Sequence, residues 1–554
     1  MKKFICSKDC IEACFAYVDG LSIIPENREN TGRFVCSKLG KFLQREVFSS
    51  DLSFINVNGK QEHPDLQEII KSIASYISVN KDKNILFIRG SGSLGYMMNY
   101  WDLLFSHFPN IYFVDGSLCL ETGESAHIKD FGVYVNPPVE NLSEVDNIVL
   151  FGRDAHNVSP HLYSYLKKLK NDGKKIIYID PILRKTVRIS DRYIRIKPAS
   201  DNFLAAAIIK NLSLDDIPYD LNYLIEKCNV SENDLSYLVD TFKNGKTGII
   251  TGYGLQRYKN GENIVRWINR LAYFTNNLNY LYYVRSSKAG LPKPDIKNPT
   301  INISEILSYL NKGFFHGGII VASNPLISYP SSKKLEELLK KLTFLLVVDT
   351  NKTETAEIAT HFIKVHGMFA QEDISGSYFY DNRLHKRDKV FDKLSDIDVI
   401  KAISKELEVN IDIKFPPIPE KKEYETRKYK TNSLQLLENK SEGLRLISGS
   451  HYSYLNSQRF GDFVENFIYI SPIDAQKYNL TDEEVVNISN ENGTIKGKVK
   501  ISEMCDEGYL FCYKCQDLIE GHPNILTTYT PTDSFTGIAL YDTFVQLEKQ
   551  KYHQ

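Results

Sequence analysis

The sequence predicts a multi-domain α/β protein that ends in a β-rich domain. Two observations carry that reading. Short apolar runs at residues 84–90, 147–152, 174–180, 248–252, 318–324 and 344–349 each end in glycine or small polar residues, and most lead into a helical pattern. Strands read as continuous apolar runs when helices cover both faces of a parallel sheet. From about Gly443 the pattern changes to short alternating runs separated by turn signals such as Glu491-Asn492-Gly493, as expected of a small barrel. At 554 residues the chain is too long for one core, so several domains are expected.

Composition excludes some classes. The net charge of −1 offers no basic field for nucleic acid. The longest clean apolar runs, such as 345–348, are far too short to span a bilayer, so no membrane span is expected. The first cysteine comes at position 6, leaving no room for a leader peptide, and nine is an odd number of cysteines for a disulfide framework. Reduced thiols then place the protein in the cytoplasm.

Taken in order, the chain opens on Cys6, Cys10 and Cys14 at equal spacing, followed by Cys36. Four thiolates so close suit a tetrahedral zinc or an iron–sulfur cluster. Structural zinc sites usually pair their cysteines as two C-x-x-C knuckles, which are missing here, so three cysteines in one loop plus a distant fourth fit a cubane cluster better. Lys38, two residues past Cys36, is placed to bridge the cluster to a second cofactor. A helix is expected over 64–79, then a strand running into Ser91-Gly92 and a helix over 96–105. Such a turn leaves N–H groups at a helix N-terminus, which favours an anion. Cys119 follows a strand-like run at 111–114. Further strand–turn–helix units present Gly152 and Asn157, Asp180, Gly252-Tyr-Gly254-Leu-Gln256-Arg257, Asn324, and Asp349 with Thr353. An acidic residue ending a parallel strand is placed to accept hydrogen bonds from a ribose. Residues 420–439 begin with a charged run that reads as a linker. Strand-like runs follow at 444–448, 467–470, 485–488, 494–501 and 509–513. Cys512 and Cys515 form a C-x-x-C within such a run, where they point to opposite faces and do not make a zinc site.

With these pieces in order, the chain resembles the molybdopterin oxidoreductases of the dimethyl sulfoxide reductase superfamily over nearly its whole length. Cys6-Ser-Lys-Asp-Cys10-Ile-Glu-Ala-Cys14 with Cys36-Ser-Lys38 is similar to the family's [4Fe-4S] segment. Ser91-Gly92-Ser-Leu-Gly95 resembles its glycine turn, and Gly116-Ser-Leu-Cys119 lies where the family carries its metal-ligating residue. Asp180-Pro181, Lys197-Pro-Ala-Ser-Asp201, Gly252 to Arg257, Ser323-Asn324-Pro325 and Thr353-Glu-Thr355 resemble its nucleotide-binding signatures. His451 and Ser457-Gln458 fall where its C-terminal barrel closes over the cofactor.

The resemblance implies an N-terminal iron–sulfur segment (1–50), a discontinuous α/β lobe (51–132 with 331–435), a Rossmann-like lobe (133–330) and a double-psi-type β-barrel (443–554). It implies two molybdopterin guanine dinucleotides holding molybdenum or tungsten, with Cys119 as the protein ligand. Asp180, Asp201 and Asp349 would meet ribose or guanine, and Arg153 and Arg257 pyrophosphate. It implies redox chemistry on a small substrate, with electrons passed through the cluster to an electron-transfer protein or iron–sulfur subunit. Leu120 stands where formate dehydrogenases place a histidine, which argues against formate. Lys364-Val365 replaces the family's Leu-Pro, while Glu372 and Asp373 match its acidic loop. Two other classes remain open: a non-catalytic subunit of a respiratory complex that keeps the fold, and a non-redox hydratase.

Overall fold

The computed structural model describes residues 1–10, 12–26, 33–134, 136–283, 291–377, 383–418, 427–430, 433–460 and 467–550. Two parallel sheets form its centre. One has five strands in the order Arg192–Ile194, Lys175–Ile179, Asn147–Phe151, Thr247–Thr251, Leu281–Tyr283, every neighbouring pair parallel. Its central strands are buried throughout, as their unbroken apolar runs require.

The other sheet has eight strands, ordered Thr300–Asn302, Ile111–Asp115, Ile85–Arg89, Gly317–Val321, Phe344–Asp349, His361–Lys364, Phe54–Val57, Lys60–Glu62. It is parallel up to His361–Lys364, where Phe54–Val57 pairs antiparallel. This sheet corrects one expectation. Thr300–Asn302 and Gly317–Val321 were expected in the Rossmann-like lobe, yet they pair with Ile111–Asp115 and Ile85–Arg89. A parallel neighbour is chosen by crossover geometry and not by nearness in sequence, so the chain returns to the eight-stranded sheet before residue 330.

The expected helix at 64–79 runs from Leu66 to Val79 and is capped by Asp65, whose carboxylate accepts from the Glu68 N–H. Its Ile69, Ile70, Ile73 and Ile77 stripe is buried against the larger sheet's core. The expected helix at 96–105 splits into a tight turn, Tyr96–Met98, and a helix, Asn99–Phe105.

The C-terminal region is a closed barrel of Leu444–Gly449, Tyr509–Tyr513, Phe467–Ile470, Gly493–Ile501, Val485–Asn490 and Phe544–Lys549. All five runs read from the sequence are strands. The sixth, Phe544–Lys549, closes the barrel between Leu444–Gly449 and Val485–Asn490. Cys512 lies in the barrel core, whereas Cys515 follows the strand's end at φ 57° and faces away, so the pair shares no site.

The start of the expected linker lies outside the described residues. Its end does not hang free. Gln435 and Leu437 carbonyls accept from Asn263, Trp267, Asn202 and Asn260, and Leu434 and Leu436 pack on the core. The charge run sets only the segment's beginning; the apolar residues after it decide that the rest lies down.

The N-terminal segment is a small antiparallel sheet, Lys2–Ile5, Phe15–Asp19 and Ser22–Pro25. It carries Cys6 and Cys14 at the facing ends of its first two strands.

Candidate active site

Two cavities run along the carboxyl ends of the two parallel sheets, and the barrel closes both. The first, of about 190 Å³, is lined by the ends of the five-stranded sheet: Gly152 to Asp154, Asn157, Asp180, Gly252 to Leu255 and Arg257. The second, of about 700 Å³, is lined by the ends of the larger sheet: Arg89 to Ser93, Asp115 to Cys119, Ala322 to Asn324 and Asp349 to Thr353. From the barrel, Gly449 to His451 face the first cavity and Ser457 to Arg459 the second. Strand ends of this kind are where open α/β sheets take ligands.

The two linings share six residues: Asp9, Cys119, Arg257, Tyr454, Asn456 and Lys514. Cys119 therefore stands where the cavities meet. Its position is built from three sides. Gly116, at φ 85°, turns the chain out of its strand, and a side chain there would run into the Thr536 carbonyl at 2.7 Å. Ser117 donates its N–H to that carbonyl (3.1 Å), and its Oγ accepts from the Cys119 N–H (3.1 Å). Gln256 reaches across from the other lobe, donating Nε2 to the Cys119 carbonyl and accepting the Gly123 N–H, both at 2.5 Å. Burial pushes the Cys119 thiol up to about 12, with Asp9 adding to the rise and Arg257 and Lys514 opposing it. Such a thiol is inert until a cation takes its proton's place.

Gln256 is the one expected cofactor contact absent from both linings; it holds the Cys119 segment instead. Lys38, Gly152, Asn157, Asp180, Asp201, Gly252, Gly254 and His451 line the first cavity. Ser91, Gly92, Asn324, Asp349, Thr353, Ser457 and Gln458 line the second. Several also serve the fold. Asp180 accepts from the Tyr178 hydroxyl (2.8 Å) and the Ile182 N–H (2.9 Å). Asn324 accepts from Thr355 Oγ1 (2.8 Å) and donates to Glu354 (2.7 Å). Thr353 caps Glu354–Glu357. Gly152 and Gly252 end adjacent strands so closely that a Cβ on Gly252 would sit 1.9 Å from the Gly152 carbonyl, which fixes Gly252 as glycine, while a φ of 56° favours glycine at Gly152.

Asp201 differs. Its Oδ1 is buried and has no hydrogen-bond partner. Burial, with Asp180 nearby, raises its carboxyl to about 7, and burial raises Asp180 likewise to about 7. A buried acceptor facing a cavity costs free energy until a donor arrives, and a base edge carrying N–H groups would supply one. His451 is held neutral, lowered to about 4 by burial and then by Arg184, with Nδ1 at 2.7 Å from Ser453 Oγ. Arg184, which pairs with Asp154 at 2.9 Å, leaves Nη1 without a partner in the first cavity.

The cysteine loop lies between the lobes. On one side Arg387 donates to the Ile5 carbonyl (3.3 Å) and Ser7 Oγ (2.7 Å) while paired with Asp373 (3.0 Å). On the other, the Glu12 carboxylate accepts the N–H groups of His161 (3.1 Å) and Leu162 (2.8 Å), capping the helix Pro160–Asn171. Cys14 Sγ lies 3.2 Å from His161 Nε2. Cys36 is the N-cap of Ser37–Phe48, and the Cys14 thiol beside it, then burial, hold its own thiol well above the usual range. Cys6 and Cys14 are buried, and Cys10 and Cys36 border the first cavity. Among the described residues no three His, Cys, Asp or Glu side chains are close enough to hold one metal ion. A cubane makes a different demand, because each thiolate binds its own iron and the ligands stand further apart. Lys38 Nζ donates to the Tyr452 carbonyl (2.7 Å) beside Cys36 and His451.

Asp9, Tyr454, Asn456 and Lys514 carried no role in the sequence reading. Asp9 and Lys514 were visible only as spacers in cysteine motifs, and nothing local marks either as facing Cys119.

Residues 66–360 match the molybdopterin oxidoreductase family, and 444–545 match the molybdopterin dinucleotide binding domain. Among relatives, the "Probable oxidoreductase YyaE" of Bacillus subtilis is 24% identical, over 90% of this chain and 89% of that one. The assimilatory nitrate reductase catalytic subunit of the same organism is 21% identical, over 44% of this chain and 43% of that one. Among solved structures, the acetylene hydratase of Pelobacter acetylenicus superposes with a TM-score of 0.76 at 12% identity, covering 99% of this chain and 100% of that one.

Proposed function

The chain belongs to the molybdopterin oxidoreductase family, and from that premise we propose a molybdenum- or tungsten-dependent oxidoreductase that acts on a small molecule at Cys119. Two molybdopterin guanine dinucleotides would occupy the two cavities, and one [4Fe-4S] cluster on Cys6, Cys10, Cys14 and Cys36 would relay electrons to a partner protein. The observation that carries this reading is that the two cavities, one at each sheet's strand ends, meet at a cysteine.

The residues fit such a group. Thiolates suit a soft metal, Asp201 Oδ1 lacks a donor, and Arg184 Nη1 lacks an acceptor. Cys119 would ligate the metal. Asp180 and Asp201 would hold the base and ribose of one dinucleotide, and Asn324, Asp349, Ser457 and Gln458 would hold the other. Lys38 would stand between cluster and pterin. The bound metal would supply two-electron exchange with substrate. The chain's own part is to orient the cofactors, keep His451 neutral and shield the junction from water.

Anaerobic purification followed by metal, iron and nucleotide analysis tests this. About four irons are expected per chain, together with molybdenum or tungsten and guanine nucleotide. Zinc without iron would remove the cluster, and a protein free of guanine nucleotide would remove the active-site reading. Substrate is then sought with a dye-linked panel of nitrate, formate, thiosulfate, polysulfide and sulfoxides.

A further inference from the structure

We propose that the junction beside Cys119 selects an anionic substrate, a small carboxylate or oxyanion held between the Arg257 guanidinium and the Lys514 ammonium. The inference deepens the oxidoreductase reading and rests on it.

Both cations belong to the small set of residues that line both cavities around Cys119. Neither forms an ion pair among the described residues, whereas other buried arginines do: Arg184 with Asp154 at 2.9 Å, Arg387 with Asp373 at 3.0 Å, Arg445 with Asp542 at 3.2 Å. Arg257 is 9% exposed. It leans over the Tyr541 ring, makes one long bond to that hydroxyl (3.4 Å), and leaves Nε without a partner. Lys514 donates once, to Asn456 Oδ1 at 2.5 Å, and an ammonium has two further protons to give. Asp9, the one carboxylate of the set, takes a 3.4 Å bond from Asn456 Nδ2.

A buried charge without a partner is expensive, and a second, part-buried cation lining the same junction adds to the cost. Burial and then Arg257 pull the Lys514 ammonium below its usual range, with Cys515, Cys119 and Asp9 opposing without cancelling the fall. The cheapest relief is an anion between them. The aspartates expected to meet base and ribose lie apart from this point: Asp180 and Asp201 line only the first cavity and Asp349 only the second. Arg153, expected at pyrophosphate, also lines only the first cavity, whereas Arg257, given the same expectation, stands with Lys514 at the junction; we assign these two cations to the reacting end, where the substrate meets the metal ligand. A planar guanidinium suits the two oxygens of a carboxylate or oxyanion, and the ammonium acts as a point charge beside it.

The test uses the holoenzyme poised at Mo(V) or W(V). Azide, nitrate and formate serve as anionic probes and dimethyl sulfoxide as the neutral one, each titrated against the metal resonance. The anions are expected to shift the resonance and the neutral probe to leave it unchanged. Lys514→Met should weaken the anion's apparent Kd by at least roughly tenfold with metal, iron and nucleotide content unchanged, and Lys514→Arg should restore it. Equal response to the neutral probe, or an unaltered Kd in Lys514→Met, would overturn the proposal. So would loss of guanine nucleotide from Lys514→Met, which would assign the cations to the cofactor. A wild-type protein with no metal and no nucleotide would instead sink the oxidoreductase reading itself, and this inference with it.

Discussion

Gln256 shows what a single side chain does for the site. One carboxamide satisfies a buried carbonyl at Cys119 and a buried N–H at Gly123, so it fixes both ends of the turn that presents the thiol. Gln256→Ala leaves both backbone groups unpaired, at about 1–3 kcal/mol each, and lets the thiol drift. The expected result is a lower melting temperature and a turnover loss of roughly tenfold to a hundredfold, with nucleotide and iron still bound; calorimetry and dye-linked assays read the two effects separately. Asp201 makes a pH prediction. Its carboxyl is raised to about 7 in the fold, against about 3.9 in an unfolded chain. Between those values the folded protein holds a proton that the unfolded chain has lost, so this group's contribution to stability falls as pH rises from about 4 to about 7 and is flat above. Asp201→Asn removes the penalty. It should raise the melting temperature relative to wild type at pH 8 and make little difference at pH 4, while weakening guanine nucleotide retention.

At the scale of elements, the cysteine loop is the instructive case. The spacing of Cys6, Cys10 and Cys14 is the sequence signal for the proposed cluster, because ligands to one group recur within a short segment. Glu12, between two of them, gives no such signal. It caps the helix Pro160–Asn171 across 149 residues, and a cap from so distant a segment has no spacing to read. Glu12→Ala should cost about 0.5–2 kcal/mol and loosen the loop from the Rossmann-like lobe. Iron loss in air, followed by the fading of cluster absorbance, should be faster than in wild type; an unchanged rate would mean that the cap does not hold the loop. Lys514 was hidden in the same way, as a spacer between Cys512 and Cys515. The strand ends fared better. Continuous apolar runs announced the buried strands, and the small residues after them announced the cavity linings, since a ligand-binding edge and a tight turn ask for the same residues. That overlap also explains Gln256. Its motif lies at a strand end, but the side chain turns to the backbone of the facing lobe instead of the cavity.

At the scale of the molecule, two sheets present their carboxyl ends to one another, the cysteine loop bridges them and the barrel closes the gap. The boundary between the lobes was misplaced because Thr300–Asn302 and Gly317–Val321 rejoin a sheet begun two hundred residues earlier, and local pattern says strand without saying which sheet. The barrel's last strand was missed because only Val545 and Leu547 mark its inner face. The arrangement has one geometric consequence: Cys119 is the one cysteine among the described residues that lines both cavities, while Cys10 and Cys36 line the first alone and Cys515 the second alone. X-ray absorption at the molybdenum or tungsten edge tests this most directly, on wild type and Cys119→Ser side by side. The account predicts that the variant keeps its nucleotides and irons, loses one sulfur from the metal's coordination sphere and gains an oxygen or nitrogen in its place. Identical sulfur coordination in the two proteins would contradict it.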